Sequence, residues 1–239
     1  LTIHRSPVFP LSESAITIEY GNEISVKRHR ELMALMQAIS QHTFPGFRDV
    51  SIAFNSLTVF FDPWEVYQHT QSSPLEFVTT WLQNLASIIT STSIVSGKEH
   101  LIPVCYDPSY GPDLATLAAY QGLDTEEVIR LHTSQVYYVF MVGFSPGFPY
   151  LGILPDALDT PRKASPALSV PAGSVGIAGK QTGIYPFNTP GGWNIIGRTP
   201  MKLFNIGDTN PCLLKAGDTV RFTRIDRQTF LYLNQYEDS

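Results

Sequence analysis

The chain is short of charge, short of cysteine and free of long apolar runs, and each shortage removes a class of function. Charged residues make up 15% of its 239 positions and the net charge is -5, so nothing electrostatic favours a nucleic-acid partner. No window approaches the roughly 18 apolar residues of a membrane span, and the opening residues lack the charged-then-apolar form of a signal peptide. A cytoplasmic protein without a membrane partner is expected. The two cysteines, Cys105 and Cys212, have no CxxC spacing and read as buried, reduced thiols rather than a disulfide. All six histidines lie at or before His132, none in a HxH or HExxH pattern. A zinc site built in the later part of the chain would therefore lack imidazole, and a Ser-His-Asp triad would have to borrow His100 or His132. No metal site is expected.

What is present divides into two halves, the first over residues 1–95 and the second over 96–239. In the first, Ser14–Tyr20 alternates as a half-buried strand, and Val26–His42 sets Leu32, Leu35, Met36 and Ile39 at helical spacing. Asp49–Phe54 and Leu57–Asp62 are strand-like runs split by Asn55-Ser56, and Ser73-Pro74 opens a helix with Phe77, Trp81, Leu82 and Leu85 on one face. With His100–Tyr106 as a last strand, the order β-α-β-β-α-β is that of a ferredoxin-like unit. Thr90–Lys98 is the linker candidate. In the second half, Leu114–Gln121 and Asp124–His132 read as short helices, followed by a strand over Gln135–Val142. Ten of the 17 glycines and nine of the 18 prolines then fall between Gly143 and Pro200. That density forbids a long helix, while the interleaved Val, Ile, Phe, Tyr and Trp can still bury area. Short strands closing into a barrel fit best, with Thr219–Ile225 and Thr229–Leu233 as the last strands, and the whole is of the α+β class.

Within that segment Gly173-Ser-Val-Gly-Ile-Ala-Gly-Lys-Gln-Thr182 approaches a phosphate loop and fails. Ser174 stands where the first glycine belongs, Gln181 replaces the magnesium-binding hydroxyl, and Pro186 and Pro190 bar the required helix. Gly143-Phe-Ser145-Pro-Gly147 has the letters of a nucleophile elbow, but Pro146 removes the N–H that an oxyanion hole needs. The segment's charges are few. Arg162 and Arg198 could grip a carboxylate or phosphate with paired donors, or else brace loops. Gln181, Thr182, Tyr185, Asn188 and Trp193 offer neutral hydrogen bonds and flat surfaces to a small polar ligand. Phe144, Phe148, Tyr150 and Trp193 read equally as core and as pocket wall.

Gly143-Phe-Ser-Pro-Gly-Phe-Pro-Tyr-Leu-Gly152, Pro161-Arg162, Val170-Pro-Ala-Gly-Ser-Val-Gly-Ile-Ala-Gly179, Gln181–Pro186, Thr189-Pro-Gly-Gly-Trp193 and Ile196-Gly-Arg-Thr-Pro200 together form a long signature. Ile102–Tyr106, Tyr110-Gly-Pro-Asp113 and Glu126–His132 extend it upstream, and Phe60-Phe-Asp-Pro63 matches more loosely. The chain thereby resembles the family of the B-type subunit of prokaryotic 5-oxoprolinase, also called allophanate hydrolase subunit 1, which includes the KipI-type histidine-kinase inhibitor. The resemblance implies a ferredoxin-like N-terminal domain and a cyclophilin-like β-barrel C-terminal domain. It also implies partners, the homologous C-type subunit and the A-type subunit of 5-oxoprolinase, with which ATP and Mg²⁺ drive the opening of 5-oxoproline to glutamate. No cofactor is expected on this chain alone. On that reading Arg162 and Arg198 carry positive charge, and Gln181, Thr182 and Tyr185 orient an amide or phosphate. Gly173, Gly176, Gly179, Gly191 and Gly192 let the backbone close on the ligand. The alternatives are a KipI-like module that blocks a sensor histidine kinase, and a carboxyltransferase-type subunit of urea metabolism.

Overall fold

A computed structural model describes residues 7–21, 23–88 and 97–237. The chain divides into two compact units, Leu1–Ser96 and Gly97–Ser239. Up to residue 96, the linker expected at Thr90–Lys98 lies outside the described residues.

The first unit holds β1 (Val8–Ser12), β2 (Ala15–Glu19), α1 (Val26–Gln41), β3 (Phe47–Ile52), β4 (Ser56–Phe61), α2 (Pro63–Thr70) and α3 (Pro74–Ile88). Its antiparallel sheet runs β1-β2-β4-β3. Ile16 and Ile18 of β2 and Leu57, Val59 and Phe61 of β4 join Leu32, Leu35 and Ile39 of α1 and Val78 and Leu82 of α3 in one core. Ser25 makes no side-chain cap to α1. A cap supplies about 1 kcal/mol, whereas each buried Leu or Ile contributes about 1.5–3 kcal/mol, so packing holds this helix. Helix α2 was not expected from the sequence. Asp62 accepts from the N–H groups of Trp64 and Glu65, and Pro63 occupies the first helical position, a start signal hidden at the end of a strand.

Two expected strands need correction. His100–Tyr106 does not complete this sheet. The edge beside β2 is taken by β1, and the expected strand becomes β5 (Glu99–Cys105) of the second unit. The reason is visible in its partners: β5 pairs in parallel along its whole length with β13 (Thr219–Ile225), and its buried His100 meets Asp218 at 3.1 Å. Asp218 also accepts from the N–H groups of Lys98 and Lys215, at 2.9 and 3.0 Å. Thr229–Leu233 likewise forms no strand. It lies in the helix that ends the described chain, where Asp226 caps the N–H of Thr229 at 2.7 Å and Phe230 is buried against Tyr110.

The other elements of the second unit are α4 (Leu114–Gln121), α5 (Thr125–Thr133), β6 (Val136–Val142), β7 (Pro149–Gly152), β8 (Ala167–Val170), β9 (Ser174–Ala178), β10 (Gln181–Ile184), β11 (Thr189–Gly191), β12 (Asn194–Arg198) and α6 (Arg227–Glu237). Seven strands close a barrel in the order β10-β7-β6-β13-β5-β12-β9, while β8 and β11 form a separate two-stranded flap. Short strands separated by Gly and Pro therefore do make a barrel, as the composition implied. Cys105 is buried and free, whereas Cys212 is only half-buried.

One polar chain crosses the apolar interior. The Tyr106 phenol bonds His132 Nδ1 at 2.8 Å, His132 Nε2 bonds Thr182 Oγ1 at 3.0 Å, and Thr182 donates to the Gly176 carbonyl at 3.0 Å. Because the threonine proton is spent on that carbonyl, Nε2 must carry the imidazole proton and Nδ1 must accept from Tyr106. The ring stacks on Phe222 with centroids 4.5 Å apart. Burial lowers the His132 pKa from 6.5 to about 3, so it stays neutral in the folded protein. An unfolded chain binds a proton there below about pH 6.5, and the folded chain does not until about pH 3. Stability should accordingly fall as the pH drops through that window, by a few kcal/mol (on the order of 1.4 per unit) from this group. Denaturant unfolding at pH 4 and pH 7 should show a smaller difference for His132→Gln than for the unaltered chain.

Candidate functional site

The near-phosphate loop is a hairpin. Ala178 and Gln181 pair across a two-residue turn, Gly179-Lys180, in which Gly179 has φ +56°. Lys180 turns outward to Asp156 at 2.7 Å. No helix N-terminus follows, and the lysine has nothing to do with a phosphate cradle.

The aromatic residues singled out in the sequence pack mainly on one another. Phe148 meets Tyr150, Tyr185 and Trp193 edge-on at 4.9, 5.1 and 5.4 Å, and with Val170, Ala178 and Ile195 they form a separate small core. The glycines serve this packing. A Cβ on Gly191 would lie 2.4 Å from the Tyr185 oxygen, and one on Gly176 3.1 Å from Trp193 Cβ. A Cβ on Gly173 would strike the Thr199 carbonyl at 2.3 Å, while Gly192 has only ordinary contacts. The Trp193 main-chain N–H donates to the Tyr185 phenol, whose pKa burial nevertheless raises. Phe144 is the exception, 68% exposed at φ +71°.

The polar residues expected at a site are not brought together. Thr182 is inside the barrel, committed to His132 and Gly176. Gln181 is half-buried at the start of β10, opposite Gly152 and Ala178. Arg162 is exposed, and its charge acts on the phenols of Tyr150 and Tyr185. Asn188 holds the Ala172 N–H at 2.7 Å. Arg198 stands elsewhere, at the end of β12, where its Nε donates to the Ala172 carbonyl at 2.7 Å. Its terminal nitrogens have no partner among the described residues.

Arg198 lines instead a cavity of about 140 Å³, shared with Tyr110, Asp113, Lys163, Ser174 and Ile195, and also a cavity of about 200 Å³ shared with Ala172, Gly173 and Lys202. Asp113 occupies the N-cap position of α4 and makes no cap bond. Its two carboxylate oxygens accept from Lys163 Nζ, at 2.8 and 2.9 Å, and one of them also accepts from the Ile195 N–H at 2.8 Å. An aspartate diverted from capping in this way ties the β5–α4 loop to the Gly-rich segment. The Lys163 main-chain N–H is fixed too, on the Gly192 carbonyl at 2.8 Å. Sequence reasoning missed this pair because its members are 50 residues apart.

A larger cleft of about 550 Å³ lies between the starts of α4, α5 and α6. Its charges are mostly engaged internally: Arg224 with Glu126, Asp107 with Ser109, Asp226 with Thr229. None of the signature glycines of β9 to β12 lines it. The smaller cavity is the better candidate because an arginine and a lysine line one half-open volume there.

The geometry can be set beside known proteins. Residues 7–214 match the family model described as carboxyltransferase domain, subdomain C and D. A Bacillus subtilis protein named as the B subunit of 5-oxoprolinase is 44% identical over 229 residues, covering 95% of each chain. A Haemophilus influenzae protein of the same name is 39% identical over 217 residues, covering 90% of this chain and 96% of that one. The crystal structure of TTHA0988 is 33% identical with a TM-score of 0.74. It matches 89% of this chain, which spans only 40% of that longer one.

Removing the central carboxylate should be costly. Asp113→Ala strands the Ile195 N–H and leaves Lys163 without its anion, at about 2–3 kcal/mol. Lys180→Ala breaks only an exposed pair and should leave the thermal midpoint unmoved. Equal melting of the two variants by calorimetry would contradict this account of the cavity.

Proposed function

This chain belongs to the family of the carboxyltransferase domain, subdomains C and D, and on that premise we propose that it is one subunit of a 5-oxoprolinase. The observation that carries the reading is the near full-length likeness, at 44% and 39% identity, to two proteins named as that enzyme's B subunit. Together with a homologous C-type subunit and an A-type subunit, it would open 5-oxoproline to glutamate at the expense of ATP.

A lactam resists hydrolysis because amide resonance protects its carbonyl. Phosphorylation of the amide oxygen makes a better electrophile, and ATP with Mg²⁺ supplies that chemistry in the assembled complex. The residues of this chain do not by themselves fit a nucleotide. The Gly-rich stretch is a hairpin, Lys180 is paired with Asp156, and among the described residues no three His, Cys, Asp or Glu side chains group as metal ligands. What this chain contributes is positive charge around a small, half-open volume. Arg198 is held by Ala172 through one nitrogen and offers its planar fork to an oxygen on which charge gathers. Arg162, exposed beside Tyr150 and Tyr185, is suited to an oxygen arriving from a partner protein.

The test is co-expression with the two partner proteins and measurement of glutamate released from 5-oxoproline with ATP. Activity is expected in the full assembly, and Arg198→Ala should lower kcat by about 100-fold, the usual scale for a lost charge-stabilising donor. A well-formed complex without activity would exchange the enzyme reading for that of a kinase-inhibiting module.

A further inference from the structure

Arg198 accounts for one of the two cations in the cavity. We propose that the other, Lys163, is the specificity residue that reads the carboxylate of the cyclic amide, with Asp113 as its positioning residue; this rests on the oxoprolinase reading above.

The geometry is that of a fixed ammonium. Lys163 Nζ has three N–H donors, and two are satisfied by the Asp113 oxygens at 2.8 and 2.9 Å. The third has no partner among the described residues. A lysine normally swings on a four-carbon stem, but here its main chain is tied to Gly192 and its anchor to Ile195. The anchor is doubly tied, since the Asp113 N–H also donates to the Ile195 carbonyl at 2.9 Å. The Lys163 side chain as a whole is 30% exposed, so its charge sits partly out of bulk water, where its pull on an anion is stronger.

Charge and size then select the ligand. Lys163 and Arg198 against Asp113 leave one positive charge uncompensated, matching a monoanion. A cavity of about 140 Å³ is well below the volumes of about 300–1,000 Å³ that drug-sized ligands occupy, so a single small ring fits and a nucleotide does not. Val170 and Ile195 supply an apolar wall for ring methylenes. The two cations differ in kind. With Arg198 assigned to the oxygen at which charge develops, Lys163 Nζ, held in place with one N–H unpartnered among the described residues, is the cation left for a carboxylate that is unchanged through the reaction. Lys163 therefore takes the carboxylate and Arg198 the lactam oxygen.

The experiment compares 5-oxoproline with 2-pyrrolidinone, the same lactam without a carboxylate, in the reconstituted complex. Lys163→Met should lower kcat/KM for 5-oxoproline by about 10- to 100-fold, mainly through KM, and leave 2-pyrrolidinone unchanged, so that the preference collapses. Lys163→Arg should restore part of it, and Asp113→Asn should raise KM without a matching loss of kcat. An unchanged preference in a Lys163→Met complex that still assembles overturns the assignment. So does a preference that collapses in Arg198→Lys instead. Calorimetric binding of 5-oxoproline to the same complexes separates the two ideas. Absent turnover overturns the oxoprolinase reading, whereas absent binding, or equal affinity with and without Lys163, overturns the role given to that residue.

Discussion

The carboxylate of Asp113 is the constraint on which the cavity depends. A partly buried carboxylate must have its lone pairs satisfied, and this one takes two bonds from an ammonium and one from a backbone N–H. Those partners come from the segment before β8 and from β12, so one side chain sets the positions of a loop, a flap and a barrel strand. Had Asp113 capped α4, as its place in the sequence suggests, neither Lys163 nor Ile195 would be held. A helix can do without its cap at a cost of about 1 kcal/mol; an uncompensated carboxylate or ammonium costs more. The energetics therefore favour the arrangement that builds the cavity.

The aromatic cluster plays the complementary part. Phe148, Tyr185 and Trp193 are too large to lie against a barrel wall unless the facing positions lack side chains, and Gly176, Gly183 and Gly191 provide those positions. A Cβ on Gly183 would come within 2.9 Å of both the Phe148 and the Trp193 rings. The glycines thus let rings, rather than a ligand, approach the backbone. The rigid cluster positions Ile195 and the start of β12, and β12 ends at Arg198.

Much of this was legible in the sequence where local signals act alone. Asp124 before the acidic start of α5, Gly122 after α4 and the apolar spacing of α1 each mark an element without help from the fold. The misreadings occurred where a local pattern competed with a distant partner. His100–Tyr106 is a strand in either unit, and only its pairing with β13, over a hundred residues later, decides which. Thr229–Leu233 has strand-like composition, yet it lies in a helix that Asp226 caps and Phe230 docks on Tyr110. The same limit applies at the site. Arg198 stands out by its charge, but nothing near Lys163 in sequence announces a carboxylate 50 residues earlier.

The position of Thr182 shows why the signature could not be mapped directly onto a ligand. Its hydroxyl is fully buried and closes a chain from Tyr106 through His132 to the Gly176 carbonyl. A neutral imidazole donates at one nitrogen and accepts at the other, and its ring links Tyr106 to Thr182 in this way. The barrel therefore spends one signature residue on joining β9 and β10 to α5, and it spends the hairpin glycine on a turn. What remains for chemistry is Arg162 beside the aromatic cluster, and Arg198 with Lys163 around the cavity. On the oxoprolinase reading, these cations are what the chain would offer to a reaction shared with partner proteins.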